Sequence, residues 1–306
     1  MDPSFAPPAH AVREAVARAL AEDLTPLGDL SAAIVGPDVT ATANFVARRR
    51  GVLAGTACAT EAFAQVDPTL VVEWRLQDGA RVEPDEHLGT VSGSLASILT
   101  AERTALNFLG HLSGIATAVN AMVERAGPGI RVWDTRKTTP GLRALEKAAV
   151  RAGGGRNHRG NLSDWVMLKD NHLAGIGITK GVAIAKDRWP GRTVHVECDT
   201  LEQVLEAVDA GADALLLDNM TPDEVRACVE AVRAKCGDGR RPLLEVSGGV
   251  TLDTVADYAT TGADYVSSGA LTNSAGVLDI GLDVIRVDGA AGEVDTGRAP
   301  GSAARS

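Results

Sequence analysis

The segment DTRKTTPGLRALEKAAVRAGGGRNHRGNLSDWVMLKDNHL, residues 134–173, is the most informative stretch of this 306-residue chain, because it carries a strand–helix–strand unit. It begins directly after a short apolar run at 130–133, and it contains a second apolar run at 165–168. Between them, LRALEKAAVRAG has helical spacing and ends in glycine, which is a stop signal for a helix. Two short strands joined through a helix predict a βαβ unit with parallel strands.

The same unit recurs towards the C-terminus. Further apolar runs of strand length lie at 194–196, 214–217, 243–246 and 263–266. Right-handed crossovers then leave two folds, an open doubly wound sheet or a closed barrel. Polar residues follow nearly every run, and barrel enzymes build their active sites from the C-terminal ends of several strands. The pattern therefore favours an α/β barrel, and six visible strands instead of eight argue against a standard eightfold one.

The residues before about 130 have a different pattern, which predicts a small α+β domain. Its expected elements are a helix at 11–23, a strand–turn–strand unit at 40–55, a helix at 56–66 and a strand at 70–79. The stretch 95–126 is also helical, and Gly110 predicts a break into two helices.

Composition excludes several classes of protein. The net charge of −10 argues against a general nucleic-acid binder, because phosphate backbones attract basic surfaces. The four cysteines contain no CxxC pair, which favours reduced thiols in a cytoplasmic protein over a zinc site or disulfides. We see no apolar run of membrane-spanning length and no signal peptide in the first residues, so no membrane partner is expected.

Two glycine-containing turns follow the last two predicted strands. They are Ser247-Gly248-Gly249 and Ser267-Ser268-Gly269. Glycine lets a backbone approach a ligand closely, and backbone N–H groups at the start of a helix attract anions. In barrels the phosphate site often lies at the last two strands. Two such turns in succession predict a ligand that carries phosphate.

Five basic residues lie at predicted strand ends or in the loop that leads to the next strand. They are Arg136, Lys137, His158, Arg159 and Lys169. Any one of them could be a solvated surface charge. Five at the mouth of the barrel, the open end at the C-termini of its strands, would repel each other unless an anion were bound there. The arginine fork binds two oxygens of a carboxylate or phosphate at once. The set therefore predicts a pocket for a multiply charged anion.

The carboxylates Glu197 and Asp218 end two consecutive predicted strands, so both should point into the same mouth. Two carboxylates beside phosphates suit Mg²⁺, or they could stabilise positive charge that develops on a sugar carbon. Salt bridges to Arg136 or Lys169 are the alternative, and the two interpretations are compatible.

At this point the sequence resembles the quinolinate phosphoribosyltransferase family, also called nicotinate-nucleotide pyrophosphorylase (carboxylating). The similarity rests on residues 134–173, on AERTALNFLGHLSGIAT (101–117), on VHVECDTLEQVLEAVDAGADALLLDNM (194–220), on LLEVSGGV (243–250) and on SSGALTNSAGVLDIGLD (267–283). The resemblance implies an N-terminal α+β sandwich domain beside an incomplete, six- to seven-stranded α/β barrel. It also implies transfer of phosphoribosyl from phosphoribosyl pyrophosphate to quinolinate with decarboxylation, which yields nicotinate mononucleotide for NAD biosynthesis.

The resemblance also implies roles for individual residues. Arg103, Arg136, His158, Arg159 and Lys169 would bind the quinolinate carboxylates, with Arg103 reaching into the site of a partner subunit. Lys137 would contact phosphoribosyl pyrophosphate, and the catalytic set would be Lys137, Lys169, Glu197 and Asp218. Glu197 and Asp218 would hold ribose hydroxyls and Mg²⁺, and the substrate-binding set would also include Thr135, Ser247, Gly248, Gly249, Ser268 and Gly269. No organic cofactor is expected, because a substituted pyridinium ring is its own electron sink.

The assembly implied by the family is a homodimer with shared active sites, and a hexamer is left open. The domains are expected at 1–113 and 114–275, followed by a helix at 276–287 that packs back on the N-terminal domain and a disordered tail at 288–306. One position departs from the family pattern, since Asn273 stands where the pattern has histidine. Asparagine keeps a hydrogen-bond donor but cannot carry charge, so no cationic role extends to this position.

Other functions fit part of the pattern. An aldolase or other Schiff-base enzyme would use Lys169 as an amine nucleophile, which requires an apolar pocket around it. A non-catalytic sensor of phosphosugars would keep the scaffold without the chemistry. A related phosphoribosyltransferase with a different acid acceptor, such as the molybdenum-transport-associated relatives, would share the fold and the donor site.

Overall fold

The structure, a computed structural model, describes residues 6–289. These residues fall into two compact units. The first holds the residues up to Gly114 together with those from Val277 onward, and the second is Ile115–Gly276.

The first unit is built on a four-stranded antiparallel sheet. Its elements are α1 (Ala9–Leu24), β1 (Thr40–Ala47), β2 (Gly51–Val52), α2 (Thr56–Val66), β3 (Val71–Trp74), β4 (Arg81–Val82), β5 (His87–Ser94), the first part of α3 (Leu95–Ala126) and β12 (Ile280–Asp288). The sheet has the order β12-β1-β5-β3, and β2 pairs with β4. Phe45 on β1 packs against Phe63 on α2 and Trp74 on β3, so these aromatic rings form part of the core.

The C-terminal end of the described chain corrects one prediction. The expected helix at 276–287 is absent, and β12 instead pairs antiparallel with β1 from Ile280 opposite Ala47 to Asp288 opposite Thr40. β-Branched side chains explain the outcome, because Ile280, Val284 and Ile285 belong to the residue class that prefers strands. Asp288 ends β12, so the predicted disordered tail does not begin there; residues 290–306 lie outside the described part of the chain.

The long helix α3 corrects a second prediction, because it runs without interruption through Gly110. Glycine at this position reflects packing, since a Cβ there would lie 3.1 Å from the carbonyl oxygen of Leu278. The Leu278 N–H donates to the Gly110 carbonyl at 2.9 Å, so the chain before β12 lies directly against the helix. The predicted boundary at 113/114 falls within α3.

α3 and the 3₁₀ turn that follows it, Leu95–Gly129, are long and apolar enough to span a bilayer, a property that we did not see in the sequence. In its most apolar 18-residue window, 61% is buried within the protein. A core helix of a soluble protein passes the same test, so this helix is weak evidence for a membrane.

The second unit is built on a six-stranded parallel sheet. Its strands are β6 (Arg131–Trp133), β7 (Val166–Leu168), β8 (Val194–Cys198), β9 (Ala214–Asp218), β10 (Leu243–Ser247) and β11 (Tyr265–Ser267). Its helices are the end of α3, α4 (Arg143–Ala152), α5 (Asp170–Leu173), α6 (Ile178–Arg188), α7 (Leu201–Asp209), α8 (Pro222–Cys236), α9 (Val255–Ala259) and α10 (Ala270–Asn273).

The strand order β6-β11-β10-β9-β8-β7 places the first two strands at the two ends of the sheet. β6 and β7 have no ladder between them within residues 6–289, which agrees with the predicted incomplete barrel. All six predicted strands exist, and each observed strand overlaps its predicted run. Their parallel arrangement brings the C-terminal ends of all six strands to one edge.

Gly153 caps α4 where this helix packs on the second half of α3. A Cβ at this position would lie 2.4 Å from the carbonyl oxygen of Ala116 and 2.7 Å from Cβ of Val119. We therefore expect Gly153→Ala to destabilise the protein by about 2 kcal/mol through overpacking, measured by urea unfolding. Gly276→Ala is the control, because its Cβ would have no neighbour within 4 Å among the described residues. Equal unfolding midpoints for both variants would contradict the packing argument.

Candidate active site

A cavity of about 560 Å³ opens at the C-terminal ends of the six parallel strands. It is lined by side chains from every strand end and from the loop after α4. The lining residues are Thr135, Arg136, Lys137, His158, Arg159, Met167, Lys169, Glu197, Leu216, Asp218, Asn219, Glu245, Ser247, Gly248, Gly249 and Ser267.

The cavity brings together most of the residues that the sequence predicted for a site. Three predicted residues do not line it. Arg103 lies on α3 in the first unit, whereas Ser268 and Gly269 lie in the loop after β11. Gly269 still acts on the cavity wall, because a Cβ there would lie 2.6 Å from Cδ of Lys137. Asn273 ends α10 with an exposed side chain and is not part of the lining.

Two guanidinium groups form the basic wall of the cavity. The Nε of Arg136 is buried and has no hydrogen-bond partner among residues 6–289. Arg159 is 8% exposed, and burial, followed by the nearby Arg136 charge, lowers its pKa. Two neighbouring cations in a partly buried wall favour the binding of an anion, which agrees with the predicted anion pocket.

A buried ion pair fixes the loop that carries His158 and Arg159. Lys147 Nζ on α4 lies 2.6 Å from Asp134 Oδ1 and donates to the His158 carbonyl at 2.9 Å. Asp134 also accepts from the His158 backbone N–H at 2.7 Å and from Asn157 Nδ2. Burial raises the pKa of Asp134 and lowers that of Lys147, and their contact opposes both shifts together with the hydrogen bonds that each group makes to the His158 backbone.

The acidic wall lies at the ends of β8 and β9. Lys169 Nζ pairs closely with Glu197 Oε2, so the salt bridge that the sequence left open exists. This contact also removes the apolar surroundings that a Schiff-base lysine requires, so the aldolase alternative is not supported. Burial and then the Glu197 charge raise the pKa of Asp218. Two carboxylates that repel each other beside one lysine leave room for a further cation, so this donor set fits Mg²⁺.

The turn after β10 is shaped for close approach of a ligand. Gly248 and Gly249 have φ of +89° and +65°, which only glycine adopts readily. A Cβ at Gly248 would lie 2.2 Å from Oδ1 of Asn219, so this glycine also makes room for the asparagine. Ser267-Ser268-Gly269 directly precedes α10, as predicted, whereas α9 begins only at Val255, several residues after the first turn.

Three polar residues in or directly beneath the cavity were missed by sequence reasoning, besides the apolar lining residues Met167 and Leu216. Asn219 follows Asp218 with a φ of +55°, and its Nδ2 donates to Asp218 Oδ2 at 2.6 Å, which orients that carboxylate. Glu245 and His195 lie beneath the mouth on β10 and β8, each 1% exposed. A signal for these two existed, because both are polar residues inside otherwise apolar strands.

His158 sits among these groups and among aromatic rings. Its Nε2 lies 3.3 Å from Glu245 Oε2, and its ring packs edge-on against Trp133 and Trp165. Burial alone would raise the pKa of Glu245, but the contacts with His158 and His195 hold it below its usual value. Burial lowers the pKa of His195 to about 4, so this imidazole is neutral.

Comparisons with known proteins agree with the geometry. Residues 115–283 match the family model described as quinolinate phosphoribosyl transferase, C-terminal domain, and residues 29–113 match the corresponding N-terminal domain. The chain is 42% identical over 283 residues to a nicotinate-nucleotide pyrophosphorylase [carboxylating] of Mycobacterium leprae, covering 90% of this chain and 97% of the relative.

A plant relative and a solved structure extend the similarity. The chain is 40% identical over 299 residues to quinolinate phosphoribosyltransferase [decarboxylating] 2b, mitochondrial, of Nicotiana tabacum, covering 91% of this chain and 84% of the relative. The solved nicotinate-nucleotide pyrophosphorylase of Francisella tularensis superimposes with a TM-score of 0.87 at 35% identity, covering 93% of this chain and 99% of that chain.

Removing Lys147 should test the buried ion pair. We expect Lys147→Met to cost about 3–5 kcal/mol of unfolding free energy, because Asp134 would remain charged and buried. The double variant Asp134→Asn with Lys147→Met should recover part of this loss. Lys180→Met on the exposed side of α6 is the control and should change stability by less than about 0.5 kcal/mol. Urea unfolding that fails to separate Lys147→Met from Lys180→Met would contradict the prediction.

Proposed function

This chain belongs to the quinolinate phosphoribosyl transferase family, and from that premise we propose that it transfers phosphoribosyl from phosphoribosyl pyrophosphate to quinolinate. The products would be nicotinate mononucleotide, pyrophosphate and CO₂, in the biosynthesis of NAD. Relatives that carry the names of this reaction match at least 90% of the chain, which supports the proposal for both units.

One observation carries the choice of acceptor, namely the pair of guanidinium groups in the cavity. Arg136 has a buried, unpartnered Nε, and Arg159 is desolvated beside it. A dicarboxylate supplies two negative charges and four oxygens in one small planar molecule, so it would accept hydrogen bonds from both guanidinium groups. Quinolinate is such a dicarboxylate, whereas nicotinate has a single carboxylate and would leave one guanidinium without a partner.

The opposite wall suits the phosphoribosyl donor. Glu197 and Asp218 would hold the ribose hydroxyls and Mg²⁺, and the backbone N–H groups of Gly248 and Gly249, whose positive φ is typical of anion-binding turns, would bind a phosphate. Lys137, which is exposed at the mouth, would contact the pyrophosphate. Mg²⁺ would supply charge neutralisation for the departing pyrophosphate.

The transfer step follows from this arrangement. The basic wall holds the ring nitrogen of quinolinate beside the anomeric carbon, so that two reactants meet in one orientation. As the bond to pyrophosphate breaks, positive charge develops on the sugar carbon, and Glu197 and Asp218 lie where they would stabilise it. The nitrogen lone pair then forms the new bond to carbon, and pyrophosphate leaves with the electron pair of the old bond.

Decarboxylation needs no further protein group as an electron acceptor. Once the nitrogen carries ribose, the ring is a cation, and the carbon beside the nitrogen can accept the electron pair that the departing carboxylate releases as CO₂. A proton then replaces CO₂ on that carbon. The task of the protein is to hold the remaining carboxylate, and Arg159 and His158 would serve in this role.

Assembly and location are also part of the proposal. Arg103 would act in the site of a partner subunit, which makes a homodimer with shared sites the functional form. A cytoplasmic location is supported by the four unpaired cysteines, although relatives include proteins named as mitochondrial and chloroplastic. A different acid acceptor remains the alternative reaction, and an assay of substrates separates it from the proposal.

The direct test follows two products from quinolinate. Purified protein with phosphoribosyl pyrophosphate, Mg²⁺ and quinolinate should form nicotinate mononucleotide and CO₂ in equal amounts, and nicotinate should not replace quinolinate.

Arg159→Gln should raise the KM for quinolinate by about 30-fold or more and leave the KM for phosphoribosyl pyrophosphate within about twofold. Arg188→Gln, at the exposed end of α6, should match the wild type. Turnover of nicotinate, or an unchanged KM in Arg159→Gln, would refute the assignment.

Mixing two inactive variants tests whether Arg103 acts across subunits. Arg103→Ala and Glu197→Gln should each be nearly inactive alone. After joint unfolding and refolding, random pairing should restore about a quarter of the wild-type activity, because each mixed dimer regains one complete site. Arg103→Ala mixed with itself is the control. If the mixture stays inactive while mixed dimers form, Arg103 acts within its own chain; if Arg103→Ala alone is as active as the wild type, Arg103 has no role in catalysis.

A further inference from the structure

Asn219 combines an uncommon backbone conformation with a position in the cavity wall. Its φ of +55° makes it one of two non-glycine residues with a left-handed backbone within residues 6–289, the other being Asp85 at +64°. Asparagine tolerates this conformation better than most residues, but an extended backbone is still lower in free energy. Residues with such a backbone concentrate at ligand sites, so the local geometry of Asn219 indicates a function.

The left-handed backbone lets Asn219 reach the carboxylate next to it. Consecutive side chains on a strand point to opposite faces, so an extended Asn219 would direct its amide away from Asp218. The Asn219 N–H still donates to the Ser247 carbonyl at 2.9 Å, beyond the last residue of β9. The left-handed turn then brings Nδ2 of Asn219 to 2.6 Å from Oδ2 of Asp218. The unusual φ is therefore what allows this contact between neighbours in the sequence.

The other end of the same amide lies against the turn after β10. A Cβ at Gly248 would lie 2.2 Å from Oδ1 of Asn219 and 2.7 Å from its Cγ, so the amide packs directly on the Gly248 backbone. Chemistry fixes which end of the amide faces Asp218, because Nδ2 donates to a carboxylate and Oδ1 would repel it. One planar group therefore spans the space between the acidic wall and the glycine turn.

We propose that Asn219 is a positioning residue for the phosphoribosyl donor. The inference rests on the proposed function, in which Asp218 would hold the ribose hydroxyls or Mg²⁺ and the turn at Gly248 and Gly249 would bind the 5′-phosphate. The Asn219 amide donates to Oδ2 of Asp218 and leaves Oδ1 for the donor. Its contact with Gly248 sets the distance from this carboxylate to the turn. That distance would match the spacing between the hydroxyls and the 5′-phosphate of one ribose.

The contact between Asn219 and Asp218 should be stronger in the complex than in the free protein. Asn219 is exposed and Asp218 is half-buried, so water competes for their hydrogen bond. A donor bound over the two side chains would exclude this water, and a hydrogen bond to a charged group is stronger at a low local dielectric. Asn219 should therefore contribute more to the affinity for the donor than to the stability of the fold.

A double-mutant cycle on donor binding tests the proposal. Asn219→Gly keeps the left-handed backbone and removes the amide. Calorimetric titration with phosphoribosyl pyrophosphate at a fixed excess of Mg²⁺, without an acceptor, should show at least about tenfold weaker binding. In an Asp218→Ala background the same change should cost less than about twofold, because no carboxylate remains for the amide to hold. Asp85→Gly is the control, since it places glycine at the other left-handed position, in the first unit, and should bind like the wild type.

The outcomes separate this inference from the proposed function. Equal binding by Asn219→Gly and the wild type, or equal losses in both backgrounds, would show that the amide does not act through Asp218 and would leave the reaction unaffected. If the wild type binds phosphoribosyl pyrophosphate but does not convert quinolinate, the proposed acceptor is wrong, and the cycle still decides the role of Asn219. A wild type that does not bind phosphoribosyl pyrophosphate overturns both proposals.

A crystal structure of the wild type with phosphoribosyl pyrophosphate and Mg²⁺ needs no variant, so it remains decisive if a substitution prevents folding. Nδ2 of Asn219 should stay within about 3.2 Å of Oδ2 of Asp218, and Oδ1 of Asp218 should contact a ribose hydroxyl or Mg²⁺. The proposal is overturned if the amide turns away from Asp218. It is also overturned if the amide binds the donor directly, because Asn219 would then be a binding residue.

Discussion

The ion pair between Asp134 and Lys147 is the contact on which the rest of the site depends. Asp134 directly follows β6, and its carboxylate accepts a hydrogen bond from the His158 backbone N–H while Lys147 donates one to the His158 carbonyl. The loop after α4 is thereby held through both the backbone N–H and the carbonyl of His158. Arg159 then lies within the electrostatic influence of Arg136, and His158 Nε2 lies 3.3 Å from Glu245 Oε2. A buried ion pair is weak evidence for stability, but here it sets the position of two cavity side chains.

Different strands and loops supply the basic and the acidic side chains of the cavity. Bases come from the end of β6 and from the loop after α4, and acids come from the ends of β8 and β9, with Lys169 bridging the two groups through Glu197. In the proposed reaction, the basic wall would hold the dianion and the acidic wall would hold the sugar with Mg²⁺. This separation also explains how a chain with a net charge of −10 offers a basic wall, since a local arrangement of a few cations is independent of the total.

Sequence reasoning predicted the six parallel strands and most of the cavity, because strand-length apolar runs that end in polar residues leave few alternative topologies. It failed where long-range packing decides local structure. Gly110 does not break α3, since its lack of a side chain serves the contact with Leu278. The last segment is a strand because its β-branched residues favour one and because β1 offers an edge for pairing, and only the first of these causes is visible in the local sequence. The proposed role of Arg103 in a partner's site likewise depends on assembly, which local sequence patterns do not describe.

Glu245 and His195 could have been found by a period-two argument. Side chains two residues apart on a strand share a face, so His195 lies on the face of Glu197, and Glu245 lies on the face of Ser247. The residue two positions before each predicted mouth residue therefore lies beneath it, in a second layer of side chains. Most such positions are apolar, as Leu216 beneath Asp218 illustrates. A charged or imidazole side chain in that layer is costly to bury without a partner, and His195 and Glu245 meet this requirement by lying against each other and against His158.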